Sequence, residues 1–103
     1  MTEAMVKRVT EDKKDLLIYE CMYHADDEIV CAGISAISFA LVNYVSVTCP
    51  ENARSRIKPG HVSITAKYTK NTEEAFKVAL FGLLAIEMSH PTGIKVYENI
   101  LPQ

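Results

Sequence analysis

A histidine and a cysteine lie close together in the first third of the chain, at His24 and Cys31. A cysteine attacks a carbonyl carbon as its thiolate, and a neighbouring imidazole can take up the thiol proton. The segment between the two residues is long enough to fold back and bring their side chains together. The pair therefore indicates nucleophilic catalysis, with Cys31 as the candidate nucleophile and His24 as its candidate general base.

Each residue of this pair lies at the end of a predicted element. Residues alternate between two faces over Lys14–Tyr23, which predicts a strand, and His24 follows its last residue. The segment Ile29–Val47 is predicted to be a helix because apolar residues recur at helical spacing, at Val30, Ile34, Ile37, Leu41, Val42 and Val45. Cys31 then falls in the first turn, where the helix dipole favours a thiolate and backbone N–H groups could stabilise an oxyanion.

Short strand patterns occupy most of the remaining chain. Three further strands are predicted, over Met5–Thr10, His61–Tyr68 and Gly93–Ile100. The polar cluster at residues 11–14 predicts a hairpin turn between the first two strands of the chain. The polar segment Glu51–Pro59 is predicted to be a loop, while the element order leaves open one strand or two between the helices.

A second helix is predicted to begin near Asn71 and to end near Ser89. Asn71 is a candidate N-cap, with Glu74 as its reciprocal partner, while Asp27 or Glu28 is expected to cap or open the first helix. The apolar face of the second helix is wide, which favours burial against a sheet and against a partner subunit. Together these elements predict one α+β domain over residues 1–103, a two-layer sandwich in which two helices are packed on one face of a mainly antiparallel sheet.

Composition and charge exclude several classes of function. The net charge of −2 argues against a general nucleic-acid binder, and the basic residues Arg54, Arg56 and Lys58 are interpreted as part of a solvated loop. No apolar run is expected to be long and clean enough to span a bilayer, the strongest candidate being Val78–Met88. Residues Met1–Val6 lack the pattern of a signal peptide, so a cytoplasmic protein is expected.

The remaining candidate groups carry little chemistry. The three cysteines are odd in number and form no CxxC pair, which argues against both a disulfide framework and a structural zinc site. The consecutive acids Asp26–Glu28 lack the spaced ligands of a calcium loop. His61 is expected to be exposed, and Cys21 and Cys49 are expected to be structural. We therefore expect neither a metal nor a cofactor.

Spacing alone leaves a plainer interpretation of the site open. A cysteine in an apolar helix most often serves packing, and a histidine at a strand end is most often solvated. In that case Cys31 would be fully buried and His24 would point elsewhere.

The residues around Cys31 also resemble a known family signature. The segment Ile29–Ala36 is similar to Asp-Ile-Val-Cys-Ala-[Ala/Gly]-Val-Ser-Ala of the bacterial ribosomal-processing cysteine proteases, and His24-Ala25 matches the Gly-His-Ala that precedes it there. Gly60–Ile64 and the helix from Thr72 to Met88 fall where that family has its later strand and second helix. The resemblance thus covers nearly the whole chain.

This resemblance implies a small α/β cysteine protease of a family whose members are typically homodimers. Members of the family remove an N-terminal extension from a large-subunit ribosomal protein, and some act on phage structural proteins. Its catalytic pair corresponds to His24 as general base and Cys31 as nucleophile. The serine of the signature corresponds to Ser35, one helical turn beyond Cys31, where it could donate a hydrogen bond into the site.

The chain also departs from the family pattern at the site. The loop between the histidine and the cysteine is shorter here and contains no glycine, Tyr23 stands in place of the glycine before the histidine, and Glu28 replaces the aspartate. Gating of the substrate by this loop is therefore in doubt. Two further hypotheses stay open beside the protease: a non-catalytic peptide-binding protein on the same fold, and a dimeric structural domain in which Cys31 serves packing alone.

Overall fold

Within the described residues, five strands and two helices build the domain, and both helices lie on one side of a single sheet. A computed structural model describes residues 1–102. The elements are β1 (Thr2–Glu11), β2 (Lys14–Met22), α1 (Glu28–Thr48), β3 (Ala53–Lys58), β4 (His61–Lys67), α2 (Lys70–Ser89) and β5 (Ile94–Glu98). In the sheet the strands are ordered β3-β4-β2-β1-β5. The β1–β5 pair is parallel and the other three pairs are antiparallel.

One face of the sheet forms the core with the inner sides of both helices. Strand residues on this face alternate with exposed or half-buried ones, as a sheet covered on one side requires. The fully buried large side chains include Val6, Leu17, Tyr19 and Ile64 from the strands and Val45, Phe76, Leu80 and Leu83 from the helices. The fold is therefore the predicted two-layer α+β sandwich, and the last residue of the predicted domain, Gln103, lies outside the described residues.

The β1–β2 hairpin closes where the sequence predicts it. Asp12 and Lys13 form a two-residue turn and have φ angles of 51° and 65°, the backbone that matches the twist of paired strands. Beyond the turn, the guanidinium of Arg8 on β1 bonds both carboxylate oxygens of Asp15 on β2. This contact with Arg8 lowers the pKa of the Asp15 carboxyl.

The prediction of a loop over Glu51–Pro59 is wrong for most of that segment. Residues Ala53–Lys58 form β3, which pairs with β4 from Ala53 opposite Ala66 to Lys58 opposite His61. The strand lies at the edge of the sheet and five of its six residues are exposed. The only large apolar residue of β3, Ile57, is itself 49% exposed, so the segment has no buried apolar stripe that would predict a strand.

Each helix begins with a side-chain cap. The cap of α1 is a predicted residue, whereas the cap of α2 lies two residues before the predicted one. Asp27 caps α1, with its Oδ1 accepting from the Ile29 N–H at 2.8 Å. The N-cap of α2 is Thr69, which exchanges hydrogen bonds with Thr72. The predicted cap at Asn71 is therefore wrong, since a threonine pair upstream already satisfies the first amides.

Helix α1 is also long and apolar enough, by length and composition alone, to cross a membrane. The expectation that no segment reaches this length is therefore wrong. In the folded domain the inner side of α1 packs in the core through Val30, Ile34, Ser38, Leu41 and Val45.

Candidate active site

His24 lies just beyond β2, in a short connector that leads directly into α1. Its imidazole is exposed to solvent and lies against Gly60, since a Cβ added to that glycine would come within 3.1 Å of His24 Nε2. Gly60 closes the turn between β3 and β4 and has a φ of +74°. An L-residue would be strained at this angle, so the turn favours glycine, and a Cβ here would also press on the His24 ring.

Cys31 lies in the first turn of α1 and is half-buried. Its thiol donates a hydrogen bond to the backbone carbonyl of Ala25, with Sγ and O 3.1 Å apart. Ala25 is itself buried, at 8% exposure, so the connector from His24 to α1 is held against the core. The thiol proton is therefore directed at a backbone carbonyl of the connector.

A single pocket of about 400 Å³ brings together the three residues predicted to form the site, His24, Cys31 and Ser35. Ser35 is exposed one helical turn beyond Cys31. Apolar side chains complete much of the wall, among them the partly exposed Tyr23, Phe39 and Ile57. The pocket thus combines a thiol, an imidazole and a hydroxyl with an apolar lining, while the catalytic roles of these groups stay a prediction.

The start of α1 offers fewer free backbone donors than the sequence suggests. The N–H of Cys31 donates to the Asp27 carbonyl at 3.0 Å, and that of Ile29 donates to the Asp27 side chain. Both amides are engaged within the helix and its cap. An oxyanion at Cys31 would therefore need a donor other than these two amides.

Tyr23, immediately before His24, has a left-handed backbone with a φ of +72°. Its N–H donates to the Gly60 carbonyl at 2.7 Å, and its carbonyl accepts from the buried Thr2 hydroxyl at 3.0 Å. These two bonds hold the peptide groups on either side of Tyr23. A left-handed backbone costs a non-glycine residue about 1–2 kcal/mol of conformational free energy. The strained residue thus sets the direction in which the chain enters His24.

His61 also borders the pocket, but its imidazole is engaged elsewhere. His61 Nε2 lies 2.6 Å from Glu20 Oε2, and both residues alternate with core residues of their strands, Ile64 and Tyr19 among them. Their side chains are therefore on the sheet face opposite the helices. His61 is half-buried rather than exposed as predicted. Its contact with Glu20 accounts for a histidine at this position without a role in the site.

The two remaining cysteines differ in their surroundings. Cys21 is buried at 4% exposure, and burial raises the pKa of its thiol. Cys49 is the half-buried C-cap of α1. Within residues 1–102, no group of three histidine, cysteine or acidic side chains could hold a metal ion.

Sequence patterns do not identify three contributors to the site: Thr2, Gly60 and Ile57. Thr2 comes from the first strand and Ile57 from the edge strand, far from His24 along the chain. The Pro59-Gly60 dipeptide is a turn signal and is the one local clue available. Its contact with His24 depends on tertiary packing.

A two-layer α+β domain with a thiol and an imidazole on one pocket, at a helix start and a strand end, has the architecture of a small cysteine protease. The family model of the cysteine protease Prp matches residues 1–95. The chain belongs to that family, as the resemblance at Cys31 implies.

Solved structures agree with this assignment. The ribosomal processing protease Prp from S. aureus, in complex with a covalently linked product peptide, is 25% identical, with a TM-score of 0.77 over 96% of this chain and 100% of that one. The same protease with a substrate peptide gives a TM-score of 0.72 at 25% identity, with the same coverage. SMU.848 from Streptococcus mutans shares the fold, at 20% identity and a TM-score of 0.71 over 95% of this chain and 93% of that one. Comparison with curated protein sequences gave no match.

Proposed function

We propose that this protein is a cysteine endopeptidase in which Cys31 is the nucleophile and His24 is the general base. The observation that carries the proposal is the placement of both side chains on one pocket, with Cys31 in the first turn of α1. Membership of the cysteine protease Prp family supports it. Ser35, on the same pocket, is proposed as a supporting hydrogen-bond donor.

The reaction follows from these groups in two halves. His24 takes the thiol proton, the Cys31 sulfur attacks the scissile carbonyl carbon, and the imidazolium returns the proton to the leaving amine as the C–N bond breaks. A thioester remains on Cys31. Water then attacks it while His24 accepts a proton, and the products are a carboxylic acid and the restored thiol.

The observed thiol geometry adds one step before attack. Because Cys31 donates to the Ala25 carbonyl, that hydrogen bond must break, by rotation of the side chain, before the proton can move to His24. Rotation about one side-chain bond is fast compared with enzymatic turnover. A substrate that displaces this hydrogen bond on binding would couple occupancy of the pocket to activation of the thiol.

For the substrate we propose the N-terminal extension of a ribosomal protein. The support is the likeness to the S. aureus ribosomal processing protease, which has been solved with substrate and product peptides. The pocket suits a peptide, because apolar side chains from the edge strand and from α1, Ile57 and Phe39 among them, line it. We place the reaction in the cytoplasm, which fits three cysteines that are all free thiols.

We also propose that the protein works as a homodimer. The outer side of α2 carries large apolar side chains at helical spacing, with Val78 71%, Phe81 57% and Met88 86% exposed. A stripe of this kind on a short chain favours burial against a second copy.

Peptide binding without cleavage is the second candidate function. It is favoured by the thiol's hydrogen bond to Ala25 and by the short connector between His24 and Cys31, which contains no glycine. In this case the pocket would hold a peptide while the Cys31 thiol kept its hydrogen bond to Ala25.

A peptide library prepared from a bacterial proteome separates the two functions. We expect the parent protein and Cys49→Ala to generate new peptide ends detectable by mass spectrometry, and Cys31→Ala to generate none. Cleavage that persists in Cys31→Ala would refute the assigned nucleophile. A parent protein that leaves the library intact but retains peptides on an affinity column would favour the binding function.

A further inference from the structure

Strand β3 offers a free edge that ends at the pocket. It lies at one end of the strand order and pairs with β4 alone among the described residues. Its last residue, Lys58, leads through Pro59 to Gly60, against which His24 rests. Ile57 and Lys58 themselves line the pocket. A chain paired with the free edge of β3 would therefore run directly towards Cys31.

The side chains of β3 divide into two chemically different rows. Ser55 and Ile57 are opposite Ile64 and Val62 on the helix side of the sheet. The other row, on the open side, consists of Arg54, Arg56 and Lys58, each of them exposed. Three cations at alternate positions thus lie on one face of one strand.

These cations form no ion pair in the part of the chain that the structure describes. The ion pairs formed within residues 1–102 involve Arg8, His61, Lys70 and Lys77 as cations. Arg54, Arg56 and Lys58 stay unpaired although acids outnumber bases in the chain, 13 to 11. The row is therefore a segregated positive charge on an otherwise slightly acidic molecule.

We propose that β3 binds its substrate peptide as an added strand and selects acidic side chains at alternate positions. Residues directly opposite each other on paired strands have Cβ atoms about 5 Å apart, within reach of an ion pair. Carboxylates at every second peptide position would face Arg54, Arg56 and Lys58. The intervening side chains would face Ser55 and Ile57 and continue into the pocket, where small or apolar groups fit.

This inference depends on the proposed function only for the cleavage of the bound peptide, and not for its binding. Charged residues on an edge strand can also serve to prevent pairing with other chains. The protective role and the selective role predict different binding. A row that only prevents pairing would repel every added strand, or would bind acidic peptides whatever the spacing of their acids.

Amide NMR titration of the Cys31→Ala protein tests the inference without cleavage. One peptide is Gly-Glu-Val-Glu-Thr-Glu-Leu-Gly. A second has lysine in place of each glutamate, and a third has the same composition with its three glutamates consecutive. We expect the alternating acidic peptide to bind about tenfold more tightly than either of the others at low salt, as three exposed cross-strand pairs would give. Its largest shifts should follow β3.

Charge reversal at the two cations furthest from the pocket provides the matched comparison. Arg54→Glu with Arg56→Glu should invert the preference to the lysine peptide, and Arg54→Gln with Arg56→Gln should abolish it. Lys14→Glu with Lys95→Glu changes the net charge equally, at exposed residues elsewhere, and should leave the preference unchanged. Equal binding of all three peptides, shifts away from β3, or a preference that survives charge reversal would overturn the inference.

A cleavage assay separates this inference from the proposed activity. The parent protein should cut library peptides with acids at alternate positions before or after the scissile bond, and the double charge reversal should change this pattern. Charge-selective strand binding by a protein that never cuts would refute the protease and leave the inference standing. Cutting without charge preference would refute the inference and leave the protease standing.

Discussion

At the scale of single residues, the site depends on two backbone positions as much as on the thiol and the imidazole. Gly60 leaves room for the His24 ring, and Tyr23 turns the chain into His24 through a left-handed conformation. The peptide groups around Tyr23 are held by Gly60 and Thr2. The position of the proposed base is thus determined by bonds to two other parts of the sheet.

Replacing Tyr23 with glycine should stabilise the protein. Glycine adopts a positive φ without steric cost, so Tyr23→Gly should raise the free energy of unfolding by about 0.5–1 kcal/mol, after the greater freedom of glycine in the unfolded chain is subtracted. Chemical denaturation followed by circular dichroism measures this difference.

Tyr97 is the matched control, since its side chain is 49% exposed against 56% for Tyr23 but it lies within β5. Tyr97→Gly should lower the free energy of unfolding by about 1 kcal/mol, because glycine weakens a strand. A similar loss for Tyr23→Gly would mean that contacts of the ring outweigh the backbone strain.

The residue types in the sequence predict the chemistry of the site well, but they predict its geometry poorly. His24, Cys31 and Ser35 can be named because their order and spacing match a signature, and the structure places them on one pocket. The bond from Cys31 to the Ala25 carbonyl cannot be predicted in this way. It depends on the path of a connector that is fixed by the burial of Ala25 rather than by any local pattern.

At the scale of elements, the start of α1 joins structure to the proposed chemistry. The Asp27 side chain caps the helix and its carbonyl accepts from the N–H of Cys31. Asp27 therefore stabilises the first turn of α1 and also fixes the backbone position of Cys31, the proposed nucleophile.

Loss of this cap should destabilise the domain by a measurable amount. Asp27→Ala should lower the free energy of unfolding by about 1 kcal/mol, since the Ile29 N–H would lose its partner. Asp26→Ala, at an exposed neighbour outside the helix, should change it by less than about 0.5 kcal/mol. Equal effects in urea denaturation would show that the cap contributes little to stability.

Elements with a buried face can be predicted from the sequence, and the exposed strand cannot. Helix α1 is recognisable because Val30, Ile34, Leu41 and Val45 repeat at helical spacing and are buried. Strand β3 escapes prediction because its Arg-Ser-Arg pattern has no apolar stripe. Its pairing with β4 comes from the Pro59-Gly60 turn and from a neighbour already fixed in the sheet.

At the scale of the whole molecule, one layer of helices covers one face of the sheet and leaves two other surfaces exposed. The outer stripe of α2 is apolar, while the free edge at β3 is basic. These surfaces lie on different elements, so a dimer through α2 would leave β3 available to a peptide.

The proposed dimer predicts a specific response to charge on α2. Val78→Glu with Phe81→Glu should convert a dimer into a folded monomer, because burying two carboxylates without partners is costly. Light scattering coupled to gel filtration measures the mass, and circular dichroism checks that the variant stays folded.

The control for the dimer introduces the same two charges on the other helix. Asn43→Glu with Val47→Glu, at exposed positions of α1, adds two carboxylates one helical turn apart and should leave the dimer intact. A monomeric parent protein, or a dimer that persists in the α2 double variant, would contradict the proposed interface.

Activation of Cys31 by His24 can be measured through the alkylation rates of individual cysteines near neutral pH. Iodoacetamide labelling followed by mass spectrometry reports Cys31 and Cys49 in the same sample, and both are half-buried. We predict that Cys31 reacts about tenfold or more faster than Cys49, that His24→Gln removes the difference, and that His61→Gln, whose side chain lies on the opposite face of the sheet, preserves it. Equal rates at the two cysteines in the parent protein, or a fast Cys31 that is indifferent to His24→Gln, would contradict the account.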